Sequence, residues 1–141
     1  MKKGRILCLD VGEKRIGIAI SDPDRRVAFP HEVLNRTSWE KDLGTISDLI
    51  DENQVSRLVI GHPISLSGGK SHQTLLIEEF TEELNKVIDV ETVLWDERLS
   101  TSEADKSLSS MGTKSRKRRD KIDKIAASLI LQNYLDKNRI R

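Results

Sequence analysis

Cysteine is almost absent from this chain of 141 residues, in which Cys8 is the single example. One thiol excludes an intramolecular disulfide and a zinc site built from several cysteines. Cys8 also lies inside an apolar stretch, where a thiol usually packs as a small hydrophobic side chain. Neither kind of cysteine site is therefore expected.

Long hydrophobic runs are missing as well. No window approaches the ~20 apolar residues of a membrane-spanning helix, and no apolar stretch typical of a signal peptide opens the sequence. Apolar residues make up 36% and charged residues 33% of the chain, which suits a highly charged globular protein. As one domain, such a chain buries roughly 70% of its unfolded surface. We therefore expect a single domain over residues 1–141, a cytoplasmic location and no membrane partner.

Aromatic residues are scarce, and the positive charge is concentrated in one place. Between residues 114 and 124, seven Lys or Arg and two Asp give +5, so the rest of a chain with net charge +1 sums to −4. None of the five aromatic residues lies in this basic run, which predicts contacts with phosphates rather than stacking on bases. The alternative is an ordinary solvated segment. The cations of the basic run are Lys114, Arg116, Lys117, Arg118, Arg119, Lys121 and Lys124.

Apolar segments and turns alternate in a pattern typical of an α/β fold. Strands at Ile6–Asp10, Ile16–Ile20 and, more weakly, near Val27–Phe29 have tight connections and predict an antiparallel meander. Strands and helices alternate after Ser38, a plausible helix N-cap, which predicts two parallel crossovers. The later elements are a helix through Ile46 and Ile50, a strand at Leu58–Ile60, a helix from Leu75 to Val87, a strand at Val90–Trp95, a helix at Ser102–Ser110 and a final helix from about Asp120 to Tyr134 or Leu135. The expected fold is a five-stranded mixed sheet with helices on both faces.

Two carboxylates stand where predicted strands end. Asp10 closes the first strand and is followed by Gly12, and Glu97 closes the last strand. Because the carboxyl ends of parallel strands meet at one edge of a sheet, these side chains should lie together. Side chains alternate along a strand, so Glu97 rather than Asp96 is expected to share the face of Trp95. The alternatives are a turn aspartate at Asp10 and a surface charge at Glu97.

A third carboxylate, Asp123, opens the predicted final helix. At 100° per residue it shares a face with Ala127, Ile130 and Tyr134, the face that should meet the sheet. An inward carboxylate is costly unless it is paired or binds metal, although a helix N-cap is the simpler alternative. Three carboxylates beside cations predict a Mg²⁺ or Mn²⁺ site that cleaves nucleic acid. Lys14, Arg15 and Arg98, which adjoin these acids, are predicted to bind the nucleic acid together with the basic run.

These motifs resemble the YqgF/RuvX family of ribonuclease H-like nucleases. The matching stretches are Leu9–Asp22, Val59–Pro63, Trp95–Thr101 and Asp123–Gln132, although His62 stands where the family often has an apolar or amide residue. The resemblance implies a ribonuclease H-like fold and a nuclease that uses Asp10, Glu97 and Asp123 as catalytic, metal-binding residues. It also implies trimming of the 5′ end of precursor 16S ribosomal RNA, with ribosomal particles as partners. Kinship with Holliday-junction resolvases makes branched DNA the second candidate substrate.

Two functions of other classes compete with a nuclease. Phosphotransferases of the actin and sugar-kinase type also begin with Asp-x-Gly after a strand, but they close a cleft between two such domains. A non-catalytic nucleic-acid adaptor needs only the basic run and leaves an inward Asp123 unexplained. The choice between RNA and branched DNA stays open, because no element recognisably reads bases or a 2′-hydroxyl. The number of metal ions and the oligomeric state stay open as well.

Overall fold

The computed structural model describes residues 4–64, 69–97 and 116–138, and gives only the backbone of residues 116–121. The predicted helix at Ser102–Ser110 and the predicted nucleic-acid ligands Arg98 and Lys114 lie outside this range. The described elements are β1 (Arg5–Val11), β2 (Arg15–Ser21), β3 (Ala28–Asn35), α1 (Trp39–Glu52), β4 (Val55–His62), α2 (His72–Asn85), β5 (Glu91–Asp96) and α3 (Arg116–Lys137).

The five strands form one mixed sheet in the order β3-β2-β1-β4-β5. β1, β2 and β3 are antiparallel neighbours, whereas β4 is parallel to β1 and β5 is parallel to β4. The predicted meander with two added parallel strands is therefore confirmed. The carboxyl ends of β1, β4 and β5 consequently meet at one side of the sheet, which we call the carboxyl edge.

β3 is longer than the predicted strand near Val27–Phe29. It pairs with the whole of β2, from Ser21 opposite Ala28 to Arg15 opposite Asn35, and its register shifts between Ile18 and Ala19 of β2. Pro30 lies within this strand, which is possible because β3 is an edge strand and need not donate every ladder hydrogen bond. Pairing with β2 rather than intrinsic strand propensity therefore sets the length of β3.

Each face of the sheet carries its own apolar core. α1 and α2 pack on one face through residues such as Ile46, Ile77 and Phe80. α3 packs on the opposite face through Ala127 and Leu131. Ser38 caps α1 as predicted, since its side-chain oxygen accepts from the backbone N–H of Lys41. No helix in the described ranges is long and apolar enough to cross a membrane.

The ends of two helices differ from the sequence predictions. α2 ends at Asn85, before Val87. α3 begins at Arg116 and continues without interruption to Lys137, so the prediction that Asp123 opens this helix is wrong. Lys and Arg favour helix formation, and neither Gly nor Pro separates residue 116 from Asp123. The described part of the basic run is therefore helical, and Asp123 lies too far inside the helix to act as its N-cap.

Candidate active site

Asp10 lies near the end of the central strand, on the face that meets α3. Its neighbour two residues earlier, Cys8, is fully buried against the α3 core, and side chains two residues apart share a face of a strand. Asp10 pairs in register with Gly17 of β2. The sheet therefore presents the Asp10 carboxylate beneath α3 at the carboxyl edge.

Gly17 determines how closely α3 approaches this carboxylate. A Cβ atom placed on Gly17 would lie 2.7 Å from the backbone carbonyl carbon of Asp123 and closer still to its carbonyl oxygen. No side chain other than hydrogen fits between β2 and α3 here. Because Gly17, the strand partner of Asp10, has no side chain, α3 lies close to β2 and Asp123 reaches the same part of the sheet as Asp10.

Glu97 directly follows β5 and lies over the end of β4. A Cβ atom on Gly61 would lie 3.3 Å from the Glu97 carboxyl carbon and 3.2 Å from Cδ1 of Ile130, a residue of α3. The Glu97 side chain therefore occupies the α3 face. Trp95 lies on this face as well, where its ring meets that of Tyr134 edge-on at a centroid distance of 5.1 Å.

Electrostatic coupling connects the three carboxylates. Burial, and secondly the charge of Asp123, raises the pKa of Asp10 from 3.8 to about 6. Burial, followed by the charges of Asp10 and Asp96, raises the pKa of Glu97 from 4.5 to about 7. Like charges and desolvation both disfavour the ionised form of an acid. The structure thus places Asp10 within electrostatic reach of both Asp123 and Glu97, where a cation would relieve the repulsion.

Arg15 pairs directly with one of these acids. Its Nε donates to Oδ2 of Asp123 at 2.6 Å, and both side chains are a little over a quarter exposed. Arg15 is the first residue of β2, and Gly17 of the same strand lies against the backbone of α3. The close packing of β2 on α3 therefore also brings Arg15 to Asp123. The sequence predicted Arg15 as a nucleic-acid ligand, and in the structure it partly neutralises the acidic cluster.

A cleft of about 370 Å³ opens beside these groups, lined by Asp10, Asp123, Lys14, Arg15 and Gln73 among others. Gln73, in the first turn of α2, donates from Nε2 to the backbone carbonyl of Val11 at 2.7 Å. Sequence reasoning missed Gln73, because a polar residue in the first turn of a helix carries no signal of a distant contact. The exposed Lys14 places a cation at this cleft.

Carboxylate oxygens are the ligands that Mg²⁺ and Mn²⁺ prefer, so the donor chemistry of the cleft fits such an ion. Across the part of the chain that the structure describes, no three His, Cys, Asp or Glu side chains are already arranged to hold a metal. A shared ion would therefore need the carboxylates to draw together, with water or phosphate oxygens completing its shell. The ion pair of Asp123 with Arg15 is one contact that would have to rearrange.

The remaining predicted ligands are only partly placed. Lys124 is half-buried in α3, and the backbone of Arg116, Lys117, Arg118, Arg119 and Lys121 is helical. His62 ends β4 in register with Asp96. Its Nε2 lies 2.8 Å from a carboxylate oxygen of Glu78 in α2, on the face opposite Asp10. His62 therefore belongs to a contact with α2 and not to the acidic cluster.

The raised pKa of Glu97 predicts how the stability of the metal-free protein depends on pH. Its folded-state pKa of about 7 lies above the ordinary value of 4.5, so the folded protein binds the extra proton more tightly than the unfolded chain does. The resulting stability is fully present below about pH 4.5 and is lost as the pH rises through about 7. Glu97→Gln should flatten this part of the profile of unfolding free energy against pH.

Chemical denaturation in EDTA from acid to neutral pH measures the effect. Glu79→Gln, which removes an exposed carboxylate of α2, is the matched control and should leave the profile unchanged. Parallel profiles for wild type and Glu97→Gln would contradict a buried, repelled Glu97.

Comparison with known proteins shows which family this chain resembles. Residues 4–137 match the family model RuvX, described as Holliday junction resolvase. A protein of Roseiflexus sp. (strain RS-1) is 40% identical over 136 residues, covering 96% of both chains. A protein of Carboxydothermus hydrogenoformans is 45% identical over 132 residues, covering 94% of this chain and 96% of the relative. Both relatives bear the provisional name pre-16S rRNA nuclease.

A solved structure supports the fold independently. The structure of Thermus thermophilus RuvC in complex with a Holliday junction substrate superposes with a TM-score of 0.57, at 8% sequence identity, and covers 98% of both chains. Similarity at so low an identity concerns the fold alone. It confirms the ribonuclease H-like fold that the family resemblance implies.

Proposed function

This chain belongs to the RuvX family, and we propose that it is a divalent-metal-dependent nuclease that hydrolyses phosphodiester bonds in structured nucleic acid. The observation that carries the proposal is the coupled set of carboxylates, in which burial and mutual repulsion raise the pKa values of Asp10 and Glu97 to about 6 and about 7. Groups with strongly perturbed pKa values in a cleft are typical of catalytic sites. A non-catalytic adaptor does not need buried carboxylates that repel one another.

Precursor 16S ribosomal RNA is the proposed substrate, with cleavage contributing to formation of its 5′ end. The names of the relatives from Roseiflexus and Carboxydothermus support this choice. A cytoplasmic location and contact with ribosomal particles go with it. Branched DNA is the second candidate, because the matched family is described as Holliday junction resolvase. We assign the activity to one domain spanning the chain.

In this proposal Asp10, Glu97 and Asp123 hold the ion. A bound Mg²⁺ or Mn²⁺ would supply an activated water and neutralise charge on the phosphate. Arg15 holds Asp123 in place and limits the repulsion among the acids before the ion binds. Lys14 attracts a phosphate to the cleft, and Gln73 fixes the backbone that follows Asp10 through its bond to Val11.

A side-by-side cleavage assay tests the function. Purified protein is given a precursor 16S RNA fragment and a four-way DNA junction, each with Mg²⁺, with Mn²⁺ and with EDTA. We expect metal-dependent cleavage of the RNA and slower cleavage of the junction. Preferential cutting of the junction would support the second candidate. Binding of both substrates without cleavage would leave only an adaptor.

The described part of the basic run should serve binding rather than chemistry. Replacing Arg116, Lys117, Arg118 and Arg119 with glutamine keeps helix propensity while removing four positive charges. Affinity for nucleic acid should fall, and the slope of log affinity against log salt should flatten. The expected flattening is up to ~0.9 on duplex DNA, and ~0.7 on single strands, for each phosphate that the variant no longer neutralises. Binding measured across a salt series gives this slope.

An equally charged control variant separates local contacts from net charge. It replaces exposed cations that do not line the cleft, namely Arg26, Lys41, Lys86 and Lys137. The salt slope of this control should stay close to that of wild type. Equal flattening in both variants would show that the basic run contributes only to overall charge.

A further inference from the structure

A second cleft adjoins the acidic one. It has a volume of about 490 Å³, and its lining includes Trp39, Arg36 and Leu76. Glu13 lines both clefts, so the two share a wall formed by the turn between β1 and β2. A nucleic acid whose phosphate lies at Asp10 could therefore enter the second cleft by crossing this turn.

Trp39 is an unusual lining residue because a large aromatic side chain is normally better buried. It is the first residue of α1, and 38% of it remains exposed. Phe80, which is fully buried, lies 5.7 Å from its ring centroid, and the guanidinium carbon of Arg36 lies 5.5 Å from it. These contacts fix part of the indole against the core, and the exposed remainder borders the cleft.

The same cleft is connected to the loop that follows Asp10. Nη1 of Arg36 donates to the backbone carbonyl of Gly12 at 3.0 Å, and Nε of Arg36 lies 3.5 Å from Oδ2 of Asp42. Asp42 is only 2% exposed and also accepts from the backbone N–H of Thr37 at 3.2 Å. The wall that carries Trp39 is therefore held rigidly relative to the candidate catalytic loop.

We propose that this second cleft binds the unpaired base of a nucleotide next to the cleaved phosphodiester, with the base stacked on Trp39. The inference rests on the proposed nuclease function and adds a substrate class to it. Every nucleobase has a π face that can stack on an aromatic side chain. Bases inside a duplex are already stacked and paired, so only a splayed, single-stranded nucleotide can enter such a cleft. The enzyme then prefers strands that are unpaired at the cleavage point.

An abasic scan tests the proposal without altering the protein at Trp39. Oligoadenylate, intact or with one abasic nucleotide at successive positions, is titrated into the Trp95→Phe variant in EDTA, so that Trp39 is the remaining tryptophan and fluoresces alone. The intact strand should quench Trp39. One abasic position, placed where the base meets Trp39, should raise Kd by roughly 5- to 100-fold, as expected when one stacked base is removed.

Variants of Trp39 show whether this side chain causes the difference in affinity between intact and abasic strands. Trp39→Ala should bind intact and abasic strands equally, and Trp39→Phe should keep part of the difference, both measured by anisotropy of a labelled strand. Leu75→Ala, which truncates an exposed side chain of α2, is the control and should behave as wild type. The abasic scan and Trp39→Phe keep the test valid even if Trp39→Ala folds poorly.

Several results would overturn the base-binding site. These are the absence of binding to intact oligoadenylate, equal binding of all abasic strands by wild type, or a base preference that survives in Trp39→Ala. Failure of the nuclease proposal looks different. In that case no substrate is cleaved with either metal, while base-dependent quenching of Trp39 still occurs.

Discussion

Replacing Asp10 with asparagine should lower the cleavage rate by on the order of 10³-fold, the size of effect seen when one preorganised electrostatic group is removed from an active site. The amide has nearly the same shape as the acid, so only the charge that would hold the ion is removed. The same substitution should stabilise the metal-free protein at neutral pH, because it removes a buried carboxylate whose pKa has been raised to about 6. Loss of activity and gain of stability are expected together.

Two measurements on one protein sample establish this pair of effects. Initial cleavage rates in Mg²⁺ give the first, and denaturation in EDTA at neutral pH gives the second. Added Mg²⁺ should raise the melting temperature of wild type more than that of Asp10→Asn, since an ion that binds the folded state stabilises it. Asp48→Asn, at an exposed position of α1, is the control and should change neither quantity. Full activity in Asp10→Asn would eliminate the metal site proposed here.

Replacing Gly17 with alanine should damage both stability and activity. The new Cβ would overlap the backbone of Asp123, including its carbonyl carbon at 2.7 Å, and a helix backbone cannot move aside as a flexible side chain can. We expect α3 to shift away from β2, at a cost of roughly 1–3 kcal/mol or more, and Asp123 to be displaced from Asp10. Thermal melts and cleavage rates measure the two consequences.

Gly44 provides a matched control for this substitution. It lies on the exposed side of α1, and a Cβ atom placed there meets nothing within 4 Å. Gly44→Ala should therefore stabilise the protein by roughly 0.5–1 kcal/mol, because alanine is the better helix residue. If Gly17→Ala were as stable and as active as wild type, close contact between β2 and α3 would not be what positions Asp123.

The sheet could be predicted from the sequence because its signals are local. Tight turns after the first two strands indicate antiparallel pairing, and a helix capped by Ser38 indicates the start of parallel crossovers. The sequence predicts a shorter β3, because pairing along β2, and not the composition of the strand, extends it to Asn35. The start of α3 was misplaced for a related reason. The basic residues before Asp123 contain no helix breaker, and charge alone does not distinguish a loop from a helix.

Asp10 and Glu97 could be picked out from their positions at strand ends, and Asp123 from the apolar helix face that it shares, but their partners could not be predicted. The ion pair of Arg15 with Asp123 joins residues 108 positions apart in the sequence, and no pattern in either segment predicts it. Trp39 directly follows Ser38, the predicted N-cap of α1, and nothing in its spacing predicts that it borders a cleft. Such features depend on how elements dock, which a one-dimensional pattern does not contain.

The contact between Gly17 and α3 also determines when the proposed site can assemble. β1 and β2 are synthesised early, whereas α3 follows every strand of the sheet in the chain. Contacts between residues so far apart close large loops and form late, after local structure. During synthesis β1 and β2 therefore leave the ribosome before α3, and the metal site proposed here stays incomplete until α3 brings Asp123 to Asp10. A nuclease that needs all three carboxylates, as proposed here, would thus gain its activity only after its last helix has been made.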